Sequence, residues 1–292
     1  MCIKSKIFIS IAAFGLILIQ SDIYAGSSEI YKMKVGDISV ISIMDTVFEM
    51  NSSLLKNGNP DTLGKYMHDG KSLSPVNAFI IKTKKHSILI DAGMGAHLLG
   101  NMKSIDISPE KIDMVLITHG HSDHVEGLIK DGKTVFQNAK VLFSEKEKPL
   151  YEDKALELLP EQYRLFMKAA NQVLKVYDKQ IGLFVFGDTI TEGIVAVDLS
   201  GHTAGHCGFL IESKGQKLLI AGDFLHVAPV QFPHPEYSMI YDADVDGSAA
   251  KRKLVLEKCI KEKMPVAGMH IPFPGIGNVE AGTVGFLFKP VK

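Results

Sequence analysis

Five apolar runs in this chain have the length of a strand, and each ends in an aspartate or a histidine. Ser87-Ile88-Leu89-Ile90 leads to Asp91, and Met114-Val115-Leu116-Ile117 leads to His119-Gly120-His121-Ser122-Asp123-His124. Ile194 to Val197 leads to His202 in Ser200-Gly201-His202-Thr203-Ala204-Gly205-His206. Lys217 to Ala221 ends in Gly222-Asp223, and Pro265 to Met269 ends in His270. Such nearly unbroken apolarity is the pattern of strands covered on both faces, as in sheets packed between other layers. A carboxylate or imidazole taken out of water at the end of such a strand costs several kcal/mol unless something pairs with it. Five strands ending this way therefore point to one shared purpose.

The densest run narrows that purpose to metal binding. His119 and His121, two apart at an extended strand end, point the same way and can share one ion. Asp123 and His124 follow as the chain turns toward a helix, and can serve a second ion beside it. Imidazole and carboxylate donors together suit borderline divalent ions of the first transition row.

The order Asp91, His119-x-His121-x-Asp123-His124, His202, Asp223, His270 resembles the metallo-β-lactamase superfamily, over a stretch from about Ile38 to His270. The resemblance implies an α/β fold, the four-layer αββα sandwich, with two divalent transition-metal ions. Zn2+ is the expected metal, with Fe, Mn or Co as alternatives. His119, His121 and His202 would hold the first ion; Asp123, His124 and His270 would hold the second; Asp223 would bridge. Asp91 would not ligate but would orient the histidine loop.

Two longer segments, Gly222 to Pro233 and Gly268 to Gly277, are similar to the secreted branch that contains methyl parathion hydrolase and related N-acyl-homoserine lactonases. Shorter lactonases of the superfamily carry a tyrosine three residues after the bridging aspartate; here that residue is His226. His226 can be read as a proton shuttle or as packing, and with Asp123 and Asp223 it makes up the expected catalytic set. The expected activity is hydrolysis of neutral, hydrophobic lactones or esters, with phosphotriesters as additional substrates. An iron-dependent redox enzyme of the sulfur dioxygenase type and a β-lactamase are the alternatives. Against the second, true β-lactamases of the superfamily lack the bridging carboxylate.

Residues 1–25 read as a secretory signal, with Lys4 and Lys6 before an apolar run from Ile7 to Ile19 and a polar stretch ending in Ala25. That run is too short to span a bilayer comfortably as a helix. A periplasmic or secreted protein is expected, a single hydrolase domain over residues 26–292 with no stable membrane insertion. Removing the leader, with its two lysines and one aspartate, takes the formal charge from −1 to −2. Nothing in that balance suggests a nucleic-acid partner, so a small-molecule substrate is the expected partner, and a homodimer is left open. Cys207 and Cys259 read as buried small hydrophobes. There is no tryptophan, so an apolar wall near the metals would draw on Phe48, Phe79, Phe232 and Phe273. Residues 152–177 read as a helical insertion broken near Pro160, either an active-site roof or an ordinary outer helix.

Overall fold

The computed structural model describes residues 17–18, 29–159 and 161–292. Most of the expected leader lies outside these residues, as does Pro160. Ile17–Leu18 pair antiparallel with Glu49 and Phe48. The first sheet contains β1 (Ile30–Val35), β2 (Ile38–Asn51), β3 (Lys71–Lys82), β4 (Ser87–Ile90), β5 (Met114–Leu116), β6 (Lys140–Ser144) and β7 (Ile181–Phe184). The second contains β8 (Thr189–Thr191), β9 (Ile194–Asp198), β10 (Cys207–Ser213), β11 (Gln216–Ile220), β12 (Val266–Ala267), β13 (Ile276–Ala281) and β14 (Phe286–Pro290). The main helices are α1 (Pro60–Tyr66), α2 (Leu98–Ser104), α3 (Ser122–Val125), α4 (Glu161–Val176) and α5 (Val245–Glu262).

Alternation along the strands sorts the apolar side chains into three layers of core. Phe79 and Ile81, Ile88 and Ile90, and Leu116 face the second sheet, where Phe209, Ile211, Leu218 and Ile220 meet them. Their neighbours Ile80, Leu89, Val115 and Ile117 face outward and pack with Leu98 and Met102 of α2 and Ala170 and Val173 of α4. Leu219 and Val266 on the far side of the second sheet pack against Val255, Leu256 and Cys259 of α5. Helix, sheet, sheet, helix is the four-layer arrangement expected.

Parallel pairing explains why the polar strand ends meet. β4 pairs parallel with β5, Ile90 opposite Leu116, so Asp91 and the His119 loop leave the sheet at the same edge. β11 pairs parallel with β12, Ile220 opposite Ala267, which brings Asp223 and His270 out side by side.

β2 runs on as one long strand whose register against β3 shifts between Met44 and Thr46. At that bulge Asp45 accepts hydrogen bonds from the Met94, His97 and Leu98 amides at 2.8, 2.9 and 2.8 Å, tying down the start of α2. Between β2 and β3 lies α1, capped by the Asn59 side chain accepting from Asp61 N at 2.9 Å. The expected helical insertion is Asp153–Glu157 followed by α4.

Candidate metal centre

The backbone that delivers these ligands depends on one glycine in particular. Gly222, just before Asp223, has φ +53°, and a Cβ there would lie 2.5 Å from His206 Nε2 and 3.0 Å from Thr118 Cβ. Only glycine suits both the left-handed backbone and the close approach.

Three ring nitrogens converge on the first set. His119 Nε2 lies 2.9 Å from His121 Nδ1, and His202 Nε2 lies 3.0 Å from that same atom. Asp123, His124, Asp223 and His270 form the second set. His270 Nε2 is 3.3 Å from Asp123 Oδ2 and 3.2 Å from Asp223 Oδ2, while His124 Nε2 is 3.2 Å from Asp223 Oδ2. Asp223 Oδ2 is also 3.6 Å from both His119 Nε2 and His202 Nε2, so this oxygen faces both sets. The residues expected as ligands are thus all brought together.

Outer partners orient the rings. His124 Nδ1 is 2.7 Å from Asp91 Oδ2, and Asp91 in turn accepts from Thr118 N at 2.8 Å and Thr118 Oγ1 at 2.7 Å. His270 Nδ1 donates to the Pro75 carbonyl at 2.8 Å. His202 Nδ1 is 2.7 Å from Asp242 Oδ1. Each arrangement turns the opposite nitrogen of the ring toward the centre. His206 is not in either set: its Nδ1 donates to Leu199 O at 2.7 Å, and its Nε2 accepts from Asp223 N at 2.9 Å.

Sequence reading missed three contributors. Asp242, forty residues from His202, was one; its Oδ2 also accepts from Met239 N at 2.9 Å. Tyr241 was another, its ring 5.9 Å from that of His202 and 5.4 Å from that of His226. The third is Glu147, buried behind the first set, where it accepts from Gly120 N at 3.1 Å, Thr203 Oγ1 at 2.7 Å, Gly205 N at 2.9 Å and the Tyr151 hydroxyl. Conversely, Phe79 and Phe232 do not wall the site. Phe79 sits in the core between the sheets, and Phe232 stacks on Phe288 in the outer core under α5.

The electrostatics are those of a site built for positive charge. Burial and the neighbouring His202 hold His121 down to about 3, and burial with neighbouring His124 holds His119 well below the ordinary imidazole range. Asp223, although buried, is held well below the usual carboxylate range by His124 and His270. Against the effect of burial, Asp223 and Asp123 raise His270 to about 10, and the same two carboxylates with Asp91 raise His124. Among the described residues Asp223 Oδ1 has no hydrogen-bond partner, and His270 Nε2 lies close to the two carboxylates without hydrogen-bond geometry to either, which fits donor atoms meant for metal rather than for protein. Donor chemistry, convergence and these orphaned atoms all suit a pair of divalent ions.

The sequence profile described as Metallo-beta-lactamase superfamily matches residues 72–264. The chain belongs to that superfamily. The crystal structure of the hydrolase AbOPH, described as in the beta lactamase superfamily, superposes with TM-score 0.84 at 28% identity, covering 91% of this chain and 98% of that one. AidC, a dizinc quorum-quenching lactonase solved with the product N-hexanoyl-L-homoserine, superposes with the same TM-score at 25% identity and the same coverage. Among curated sequences, the uncharacterized protein YobT of Bacillus subtilis is 30% identical over 152 residues, 52% of this chain and 63% of YobT, so the match spans under two thirds of that relative. By family and by its structural neighbours, the protein stands among metal-dependent hydrolases.

Proposed function

We propose that this protein is a dinuclear metal-dependent hydrolase of neutral lactones or esters, working in the periplasm or outside the cell. The observation that carries the reading is Asp223 Oδ2, placed 3.2 to 3.6 Å from imidazole nitrogens of both ligand sets. Its likeness to AidC, a lactonase, favours the lactone reading over the β-lactam one. The compartment rests on the leader-like residues 1–25.

His119, His121 and His202 would hold one ion, Asp123, His124 and His270 the other, with Asp223 shared. When bound, such a pair supplies hydroxide near neutral pH and polarises the carbonyl under attack. The chain's own residues set what reacts there. Asp91, Asp242 and the Pro75 carbonyl keep the ring nitrogens aimed inward, so little reorganisation is needed at the moment of reaction. His226 stacks on His270 at 4.8 Å, its Nε2 3.0 Å from Asp223 Oδ2 and its buried Nδ1 without a partner. Burial holds this imidazole down to about 4, so at neutral pH it is uncharged and can both accept and donate a proton. That fits a ring that takes a proton from water at one nitrogen while releasing the proton on the other to the departing alkoxide, and so ends neutral as it began. Tyr241, on the other side of His226, offers a hydroxyl that stays protonated, since burial pushes it well above the ordinary phenol range. Arg252, the cation packed behind Asp242, directs its donors to the Phe224, Pro235 and Tyr237 carbonyls and Ser248 Oγ. It is therefore committed to structure and is not free to pair with an anionic substrate.

The test is a panel of N-acyl lactones of rising chain length beside an aryl ester, a phosphotriester, a phosphodiester and a β-lactam. Each methylene buried in the transition state is worth ~0.8 kcal/mol, or about fourfold in kcat/KM, until the pocket fills. His226→Ala should lower lactone kcat while leaving the bound metal unchanged. Preference for the phosphodiester or the β-lactam would refute the substrate class. Loss of metal in His226→Ala would instead make His226 a ligand, which its place beside His202 and Asp223 makes a fair comparison.

A further inference from the structure

The two ligand sets do not share the same support. His124, in the second set, is backed by Asp91, and His270 by the Pro75 carbonyl. Behind the first set lies Glu147, a fully buried carboxylate at the end of the segment that follows β6. One of its oxygens accepts from Gly120 N, the amide between His119 and His121, and from the Tyr151 hydroxyl. The other accepts from Thr203 Oγ1 and Gly205 N, immediately after His202. A single carboxylate thus pins both loops that supply the first set, and its acceptor sites are filled by donors, which suits the ionised form.

The neighbourhood leaves the loops little freedom to compensate. A Cβ at Gly120 would fall 2.5 Å from the Tyr151 ring and 2.9 Å from Ala170 Cβ, and one at Gly205 would fall 2.3 Å from Glu147 N. Tyr151 also donates its hydroxyl toward Glu147 while receiving Gly120 N at 3.0 Å. Asn171 of α4 holds the Tyr151 carbonyl at 2.8 Å, so the contact chain runs from α4 through Tyr151 and Glu147 to both loops.

We propose that Glu147 is the positioning residue of the first metal site, fixing the His119–His121 and His202 loops to one another and to the segment ending in α4. This rests on the metal-binding reading of His119, His121 and His202. Removing the carboxylate unties the two loops from each other, leaving His202 to Asp242 and Gly120 N to the Tyr151 hydroxyl alone, while the second set keeps all its supports. Partners at this remove change metal affinity by roughly 10–100-fold in other metal sites.

The experiment uses full-length protein stripped of metal and titrated with Co2+, reading the visible d–d bands and the dissociation constants by competition with a chelator. His270→Ala isolates the first set and His121→Ala the second. In the His270→Ala background, Glu147→Gln should weaken Co2+ binding at least tenfold and alter the band intensities. In the His121→Ala background it should change the affinity less than twofold. Thr203→Val, which removes one of the donors to Glu147, should give a smaller shift of the same selectivity, and it carries the test if Glu147→Gln does not fold. Tyr177→Phe is the control for general loosening, because its hydroxyl joins Phe136 N and Leu128 O, neither of which belongs to the loops held by Glu147. It should lower the melting temperature without moving either Co2+ affinity. Equal weakening of both sets, or a lower melting temperature with both affinities and spectra unchanged, overturns the assignment of Glu147. Failure of the unmutated protein to bind two ions overturns the metal-binding reading itself.

Discussion

His206 offers a sharp separation between holding the metal centre and being part of it. It sits four residues after His202 in a repeated Gly-His pattern, and its ring is 5.7 Å from that of His202. Yet both its nitrogens are committed, one donating to Leu199 O at 2.7 Å and the other accepting from Asp223 N at 2.9 Å. Replacing His206 with alanine leaves a buried carbonyl and a buried amide without partners. Each such orphan costs ~1–3 kcal/mol, and the ring's lost packing adds to it, so a loss of about 3–6 kcal/mol is expected. That is a large part of the 5–15 kcal/mol typical of a folded domain. The amide belongs to the bridging aspartate, so turnover should fall as well, though less than in His202→Ala. Metal count should not fall: at saturating Zn2+ the variant should hold the same number of ions as the unmutated protein. His206→Gln, which can replace one of the two hydrogen bonds, should recover part of the stability. Urea denaturation of the metal-free proteins and elemental analysis of the loaded ones make the comparison. Loss of one ion in His206→Ala with stability within 1 kcal/mol of the parent would refute the reasoning, because it would make His206 a ligand.

Two further outcomes follow from the centre. Purified protein should hold about two transition ions per chain; His121→Ala should retain about one and Asp223→Ala should bind both weakly, each folded and without hydrolytic activity, as read by elemental analysis and circular dichroism. In metal-free protein, the pH dependence of stability has two limbs. His121, His206 and His226 are held down to about 3, 3 and 4 chiefly by burial, so between the ordinary imidazole range near 6.5 and those values the unfolded chain binds protons that the folded chain refuses, and stability falls with acid. His270, raised to about 10 by Asp223 and Asp123 against burial, contributes stability fully present below about 6.5 and lost as pH rises toward 10. Urea midpoints measured across pH in a chelator should therefore pass through a maximum, and bound Zn2+ should suppress the alkaline limb. A profile that rises steadily from pH 5 to 10 would contradict the His270 assignment, and one that falls steadily with no acid limb would contradict that of His121, His206 and His226.

What could be read from the chain was what its local pattern determines. A ligand at the end of an apolar strand announces itself, because burial and charge conflict within a few residues, and every expected ligand lies in the centre. The layer order was expected from the family resemblance, and the structure shows its physical basis: along Ile88-Leu89-Ile90 alternate side chains enter the core between the sheets and the core under the outer helices. Apart from Asp91, expected to orient the histidine loop and found 2.7 Å from His124 Nδ1, the supports were not legible. Asp242 reaches His202 across forty residues, Glu147 reaches Gly205 across fifty-eight, and Arg252 reaches Phe224 across twenty-eight. No spacing rule links such pairs, since a buried carboxylate needs donors from whatever the fold delivers. Two of the four phenylalanines expected in an apolar wall, Phe79 and Phe232, lie elsewhere by the converse logic. Phe79 lies in a strand whose alternation turns it into the space between the sheets, and Phe232 follows a helical turn that directs it to Phe288. Proximity to a ligand in sequence therefore predicts little about side-chain direction, whereas strand parity predicts it well. By that standard Tyr241 is the informative miss. It adjoins Asp242, which holds His202, so the bond that orients a metal ligand also fixes the residue beside it against His226. Metal geometry and the substrate side of the pocket are thus set by one short segment, and a change there should alter affinity for the ion and selectivity for the substrate together.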